Sequence, residues 1–188
     1  MIPFVISIIS WLAFLGFVGL LVISLAFISD RVFRTSFLTR LSKFLNPYTY
    51  YLVFFLSFIA SIASLFLSEV AHFPPCILCW YQRILMYPQP ILYYLAIVRR
   101  EHLLKPYGIT LSVLGMIVSL YHYSLHVLPK TTTIILPCAK SYGGVPCDKG
   151  YNFFFGFMTF PLMAFVVFAL VAVIFLLSKP VAPPKRKK

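Results

Sequence analysis

The stretch PCILCWYQR, from Pro75 to Arg83, combines two cysteines in a Cys-x-x-Cys spacing with an arginine one helical turn beyond the second cysteine. Prolines precede the pair and an apolar run follows it, so Cys76 and Cys79 are expected at the start of a helix. A disulfide between them closes too short a ring to stabilise the chain much. The positive end of the helix and the unpaired amides of its first turn favour a thiolate, which indicates a redox-active pair.

The segments around this pair are expected to span a lipid bilayer. The sequence is 61% hydrophobic and 11% charged, and its mean hydropathy of +0.94 lies outside the range of ordinary soluble domains. A membrane-spanning helix needs roughly 20 mostly apolar residues. Five segments meet this requirement: Ile2–Ile28, Tyr48–Leu67, Ile77–Val98, Tyr107–Leu125 and Phe153–Leu177.

We therefore predict an all-α integral membrane protein, with a four-helix transmembrane bundle as its core and one extra N-terminal hydrophobic helix. The first segment is interpreted as a retained helix rather than a signal peptide, because no basic residue precedes it and its apolar run is long. The predicted parts are the additional helix (1–30), a basic cytoplasmic loop (31–47), the core (48–178) with an outer loop (124–152), and a basic tail (179–188).

The basic residues predict which side of the membrane each connection faces. Lysine and arginine in short loops stay on the cytoplasmic side, and they concentrate at 31–47, 99–105 and 179–188. The connections at 69–76 and 124–152 hold few and are expected outside. Five spans are then expected to cross the membrane, with the N-terminus outside and the C-terminus inside. This arrangement explains most of the net charge of +12 without a nucleic acid partner.

All four cysteines fall on the predicted outer side, where disulfides form and persist. Cys76 and Cys79 lie at the mouth of the third span, whereas Cys138 and Cys147 lie in the long outer loop. The two pairs indicate either two structural disulfides or a relay that passes oxidising equivalents between them. The glycines and prolines around the second pair are compatible with the loop movement that a relay requires.

Arg83 follows Cys79 at a spacing that places both on one helical face. A cation at membrane depth is costly unless it reaches the head groups or has a function. Beside Cys79 it would stabilise a thiolate or the negative charge developing on a bound electron acceptor. The chain has no room for a soluble cofactor domain, so a lipid-soluble quinone is the expected acceptor.

Three features together resemble the DsbB family of disulfide-bond formation proteins, and most closely its BdbC subgroup. They are PCILCWYQR followed by ILMYP, the outer pair Cys138 and Cys147, and FGFMTFPLMAF before the last span. The resemblance runs from about Tyr48 to Leu177. It implies a membrane thiol–disulfide oxidoreductase that reoxidises an extracytoplasmic thioredoxin-like partner of the DsbA or BdbD type. The electrons would pass to ubiquinone or menaquinone, and the partner would introduce disulfides into secreted proteins.

The resemblance also implies a role for each functional residue. Cys138 would form the mixed disulfide with the partner, and Cys147 would pass the electrons on to Cys76. Cys79 would face the quinone, with Arg83 beside it. No resident metal is expected.

Two further positions are less well defined by the sequence. Gln82 stands where some members of the family carry an acidic residue, which leaves the role of this position open. His122, near the outer end of the fourth span, is a weak candidate for a quinone contact, and interfacial packing is favoured for it.

Two alternatives remain open from the residues. The four cysteines could form a structural zinc site that holds the outer loop to the helix mouth. The relay could also run in reverse, as a membrane reductant, although such a carrier needs cysteines on the cytoplasmic side. An oxidising compartment and the cation of Arg83, which zinc binding does not require, both favour the oxidase.

Overall fold

The computed structural model describes residues 2–33, 37–99, 104–127, 152–154 and 157–178. The chain is almost entirely helical through these residues, and the prediction of an all-α membrane protein is confirmed. The helices are α1 (Ile2–Phe33), α2 (Phe37–Leu45), α3 (Thr49–Leu65), α4 (Ile77–Met86), α5 (Pro88–Arg99), α6 (Lys105–Val127) and α7 (Phe160–Leu177). A short 3₁₀ turn, Asn46–Tyr48, precedes α3, and a π-helical turn, Phe66–Val70, continues it.

Four of the described helical stretches are long and apolar enough to cross a membrane, which makes this a multi-pass membrane protein. They are Ile2–Val32, Phe37–Val70, Lys105–Val127 and Phe160–Leu177. The predicted third span is divided into α4 and α5, of 10 and 12 residues. Pro88 causes this break because it has no N–H to donate and restricts the residue before it.

Two connections differ from what hydropathy predicts. The basic segment 31–47 contains the helix α2, and the Leu38 amide donates to Asp30 Oδ2 at 2.8 Å, which ties α2 to the end of α1. The last helix begins at Phe160 rather than Phe153, because Asn152–Phe154 (β1) pairs antiparallel with Met158–Thr159 (β2). Pro161 in the first turn of α7 suits a helix start.

Small residues let α6 pack closely against α7. The buried face of α6 carries Gly108, Ser112, Gly115, Ser119 and His122, spaced by alternating steps of four and three residues. A Cβ atom on Gly115 would lie 2.5 Å from the ring of Phe168, so only glycine allows this approach. Lipid is as apolar as the side chains of these helices, so the hydrophobic effect does not drive their association. Close packing through small residues holds membrane helices together instead. The same face delivers His122 to the end of α4 that carries the cysteines.

Candidate thiol–disulfide site beside an apolar cavity

Cys76 is the residue that caps the N-terminus of α4. Pro74 and Pro75 precede the helix and suit its start, and Cys76 itself is extended, with φ and ψ of −74° and 171°. Its sulfur accepts a hydrogen bond from the Cys79 amide at 3.3 Å. The unpaired amides of the first turn are therefore directed to the first cysteine of the pair, as in an ordinary N-cap.

The two sulfurs lie next to each other as free thiols. Cys76 Sγ and Cys79 Sγ are 3.0 Å apart, within hydrogen-bonding distance. A thiolate can only accept, so the Cys79 thiol donates to Cys76 when Cys76 is ionised. This bond lowers the pKa of Cys76 well below its ordinary value; burial opposes the effect, and His122 and the Cys79 amide add to it. The better thiolate is thus Cys76 rather than the cysteine nearer Arg83.

His122 lies directly against Cys76. Its Nε2 is 3.5 Å from Cys76 Sγ, and its Nδ1 is 3.4 Å from the side-chain nitrogen of Gln82. The Gln82 amide also donates to Ser119 Oγ at 3.1 Å. Since Gln82 donates to Nδ1, the network assigns the proton of the neutral ring to Nε2, which faces the sulfur. The histidine is 2% exposed, so this arrangement is shielded from solvent.

This network gives Gln82 a role that the sequence did not reveal. The glutamine fixes the tautomer of His122 from the opposite helix. Gln82 and Ser119 are both buried, and their only sequence signal is a polar side chain on an apolar helix face. A partner 37 residues away along the chain is not evident from spacing.

Arg83 is held in place by the last turn of α3. Its Nε donates to Ser64 Oγ at 3.1 Å and its Nη2 donates to the Ser64 carbonyl oxygen at 2.9 Å. The guanidinium carbon also lies 5.6 Å from the centre of the Trp80 ring. These contacts satisfy part of the guanidinium within the protein and fix its plane, which reduces the cost of a cation at this depth.

An apolar cavity of about 310 Å³ lies between α1, α3, α4 and α7. Cys79 and Arg83 both line it, together with Gln82 and Ser64, and the rest of the wall is almost entirely aliphatic or aromatic. Small-molecule sites have this composition and a volume of roughly 300–1,000 Å³. Cys76 and His122 are not among its lining residues. The pair therefore presents one sulfur to the cavity and the other to α6.

Cys76, Cys79 and His122 also form a group whose three ligand atoms lie within 4.8 Å of one another. Such a group could hold a metal ion. Two thiolates on one tetrahedral zinc ion lie about 3.8 Å apart, so the sulfurs, now at 3.0 Å, would have to separate. Cys138 and Cys147 lie outside the described residues, as does most of the outer loop.

One experiment tests the electrostatics of this site directly, with Cys76 as the sole cysteine and serine, which can still donate, at the other three positions. We expect its alkylation rate to change little from pH 8 down to pH 6, because a lowered pKa preserves the thiolate as pH falls. An ordinary thiol, with a pKa of about 8.5, slows roughly tenfold per unit over this range. Adding His122→Phe should raise the pKa and restore part of this dependence.

The matched control is His126→Phe in the same background. The ring of His126 packs on His122 at 5.1 Å, whereas the pKa of Cys76 depends on Cys79 and His122. Burial slows all the rates, so only their pH dependence is compared. Identical pH profiles for the two histidine variants would contradict the role assigned to His122.

A thiol pair that caps a helix in a multi-pass membrane protein, with one sulfur on an apolar cavity and the other beside a histidine, defines a membrane thiol–disulfide oxidoreductase. Comparison with known proteins agrees with this class. The model of the family described as "Disulfide bond formation protein DsbB" matches residues 46–178. The chain belongs to this family.

The names of similar proteins also refer to disulfide formation. "Probable disulfide formation protein C" of Halalkalibacterium halodurans is 40% identical over 118 residues, which are 63% of this chain and 83% of that protein. "SPbeta prophage-derived disulfide bond formation protein B" of Bacillus subtilis is 40% identical over 120 residues, 64% of this chain and 78% of that protein. "Probable disulfide formation protein" of Coxiella burnetii is 34% identical over 146 residues, 75% and 97% of the two chains. No solved structure shows a significant match.

Proposed function

We propose that this protein reoxidises an extracytoplasmic thioredoxin-like partner of the DsbA or BdbD type and passes the electrons to a membrane quinone. It would act in the bacterial cytoplasmic membrane, with its cysteines on the outer side and its C-terminus in the cytoplasm. The observation that carries the proposal is the division of the pair: Cys79 lies on an apolar cavity with Arg83, whereas Cys76 faces His122 on α6.

The residues of the cavity fit a quinone. Its apolar walls suit a ring and the first part of an isoprenoid tail, and Arg83 offers N–H groups for a carbonyl oxygen. A bound ubiquinone or menaquinone would accept the two electrons and two protons released when two thiols become a disulfide. Arg83 would stabilise the negative charge that develops on its oxygen, within a cavity whose walls are mostly apolar.

The cysteines would transfer the electrons by thiol–disulfide exchange. A reduced partner attacks the Cys138–Cys147 disulfide at Cys138, and its second thiol then releases Cys138, leaving the partner oxidised and both loop cysteines reduced. The Cys147 thiolate next attacks Cys76 in the Cys76–Cys79 disulfide, which frees Cys79 at the cavity. Each exchange forms one S–S bond and breaks one, so the number of disulfides stays constant until the Cys76 and Cys79 thiols form their disulfide again and pass two electrons and two protons to the quinone.

His122 would act on the final exchange in this sequence. Cys138 attacks Cys147 in the Cys147–Cys76 disulfide, and Cys76 is then the leaving group. A thiol of low pKa leaves faster, and the Nε2–H of His122, 3.5 Å from this sulfur, holds the departing charge. This role uses the contact of His122 with Cys76, whereas the sequence had favoured interfacial packing for His122 and made it only a weak candidate for a quinone contact.

The test uses purified protein in lipid nanodiscs, with a reduced DsbA- or BdbD-type partner and a soluble quinone analogue whose absorbance falls on reduction. We expect one quinone reduced per partner dithiol oxidised, and loss of this turnover in Cys138→Ser, because Cys138 would form the mixed disulfide with the partner. Reduction of an oxidised partner by quinol would instead show the reverse relay. No turnover with a competent partner, together with one zinc ion per chain, would show a structural metal site.

A further inference from the structure

The helix α1 lies outside the residues that match the family, yet it contributes one side of the cavity. The matched core begins at residue 46, whereas α1 ends at Phe33. Four residues of α1 line the cavity: Ile9, Leu12, Ala13 and Gly16. Their spacing of three, one and three places them on one face, over about 10 Å of helix. The cavity therefore includes a wall that the family core alone does not provide.

A matching stripe on α3 faces these residues across the cavity. Leu56, Ile59, Ala60 and Ala63 repeat the same spacing, and Ser64, the anchor of Arg83, comes next. The thiol end and the apolar stripes thus belong to one continuous space, with the reactive sulfur and the cation at one end. The site therefore suits a molecule with a polar ring at one end and a long aliphatic chain at the other.

The position of α1 depends on a close approach to α7 at Gly16. A Cβ atom on this glycine would lie 3.0 Å from Val166 Cγ1 and 3.2 Å from Leu170 Cδ1, and both of these residues also line the cavity. A side chain as large as leucine at Gly16 would crowd these two side chains, so that α1, its neighbours or both would have to shift. Gly19, on the same helix, has no atom within 4 Å of its Cβ position, so it tolerates the same change.

The helix α1 packs against the core through only part of its surface. Many of its large apolar side chains are exposed, including Phe4, Leu15 and Leu25, as expected for a helix surrounded by lipid. The buried Ser10 satisfies its hydroxyl within the helix, by donating to the Ile6 carbonyl oxygen at 2.9 Å. The helix α1 thus packs most extensively on α7 beside the cavity, and it also contacts α2 and β1.

We propose that α1 forms the tail-binding wall of the quinone site, with Ile9, Leu12, Ala13 and Gly16 contacting the isoprenoid chain. This inference rests on the quinone-linked function proposed above. Without α1, the surfaces of α3 and α7 would form a groove open to lipid tails. With it, a quinone tail is enclosed between two helical stripes, which lengthens the residence of the ring beside Cys79.

The test measures binding of two quinones to the full-length protein in nanodiscs by equilibrium dialysis, one with a long isoprenoid tail and one without a tail. Gly16→Leu displaces the wall and Ala13→Leu fills the space beside it. Both should weaken binding of the long-tailed quinone about tenfold, the lower end of the range for one methylene that does not fit. The tail-free quinone should bind within about twofold of wild type, since Cys79 and Arg83 are unchanged. Gly19→Leu is the matched control, and thermal unfolding checks that each variant is folded.

Each outcome separates this inference from the function on which it rests. If wild type binds and reduces quinone but both cavity variants bind the long-tailed form as Gly19→Leu does, α1 is not part of the site. Equal weakening in all three variants, or equal loss for both quinones, also overturns the inference, because the effect is then not local to the wall. A wild-type protein that binds neither quinone would overturn the proposed function itself.

Discussion

In the Cys79→Ser protein, quinone reduction is expected to fall by a factor of at least about 10³, the scale of loss when a reacting nucleophile is removed. Cys79 is the only cysteine among the described residues that lines the cavity. Partner oxidation should not disappear entirely, because the outer loop pair still holds one disulfide. We therefore expect one equivalent of partner oxidised per chain and no further turnover, measured by quenching with acid and counting thiols.

The matched variant is Cys76→Ser, which also cannot form the Cys76–Cys79 disulfide but keeps the Cys79 thiol at the cavity. In this protein a bound quinone should protect Cys79 from a lipid-soluble maleimide. In Cys79→Ser the remaining Cys76 faces α6 and should receive no protection. Equal protection of the two thiols would contradict the assignment of one sulfur to each side of α4, even if both variants are inactive.

The elements that carry this site could be predicted from the sequence, but their rotation about their own axes could not. Hydropathy locates the helices, and Pro74 and Pro75 predict that α4 begins at the cysteines. The side of α4 that each sulfur faces depends on how the helix packs between α6 and the cavity. The contact between Cys76 and His122 joins residues 46 positions apart, and nothing local to either residue indicates it.

The same limit explains why the sequence does not show which of the two sulfurs is the better thiolate. Proximity to Arg83 along the helix favours Cys79 as the thiolate. In the structure Arg83 turns to Ser64 on α3, and the amide of the first turn bonds to Cys76 instead. An i+4 spacing defines a common face, but a long side chain can reach partners on any neighbouring helix.

The position of α1 beside the cavity could likewise not be predicted from the sequence. A uniformly apolar helix has no face that stands out, because lipid-facing and protein-facing residues are equally hydrophobic. The two glycines of α1, Gly16 and Gly19, do not differ in the sequence, and glycine in a membrane helix is common. The packing of Gly16 against Val166 and Leu170 is what places α1 at the cavity.

Replacing Arg83 by glutamine should have the second-largest effect. The rate of quinone reduction should fall about 10²- to 10³-fold, which is the range for removing one donor to a developing oxyanion. Glutamine keeps a donor and much of the length but not the charge. The loss should fall mainly on kcat, since the charge on the quinone oxygen grows as electrons arrive. Stopped-flow reduction by fully reduced protein, at several quinone concentrations, separates kcat from binding.

Two companion variants distinguish charge from position. Arg83→Lys keeps the charge but cannot reproduce the two bonds to Ser64, so it should recover part of the rate. Ser64→Ala removes the acceptor of Nε while the carbonyl contact of Nη2 remains, and its loss should be smaller than about tenfold. If Arg83→Gln raised KM and left kcat unchanged, the guanidinium would bind the quinone equally before and during reduction. Its place beside Cys79 would then reflect anchoring to α3 and not stabilisation of the charge that the electrons create.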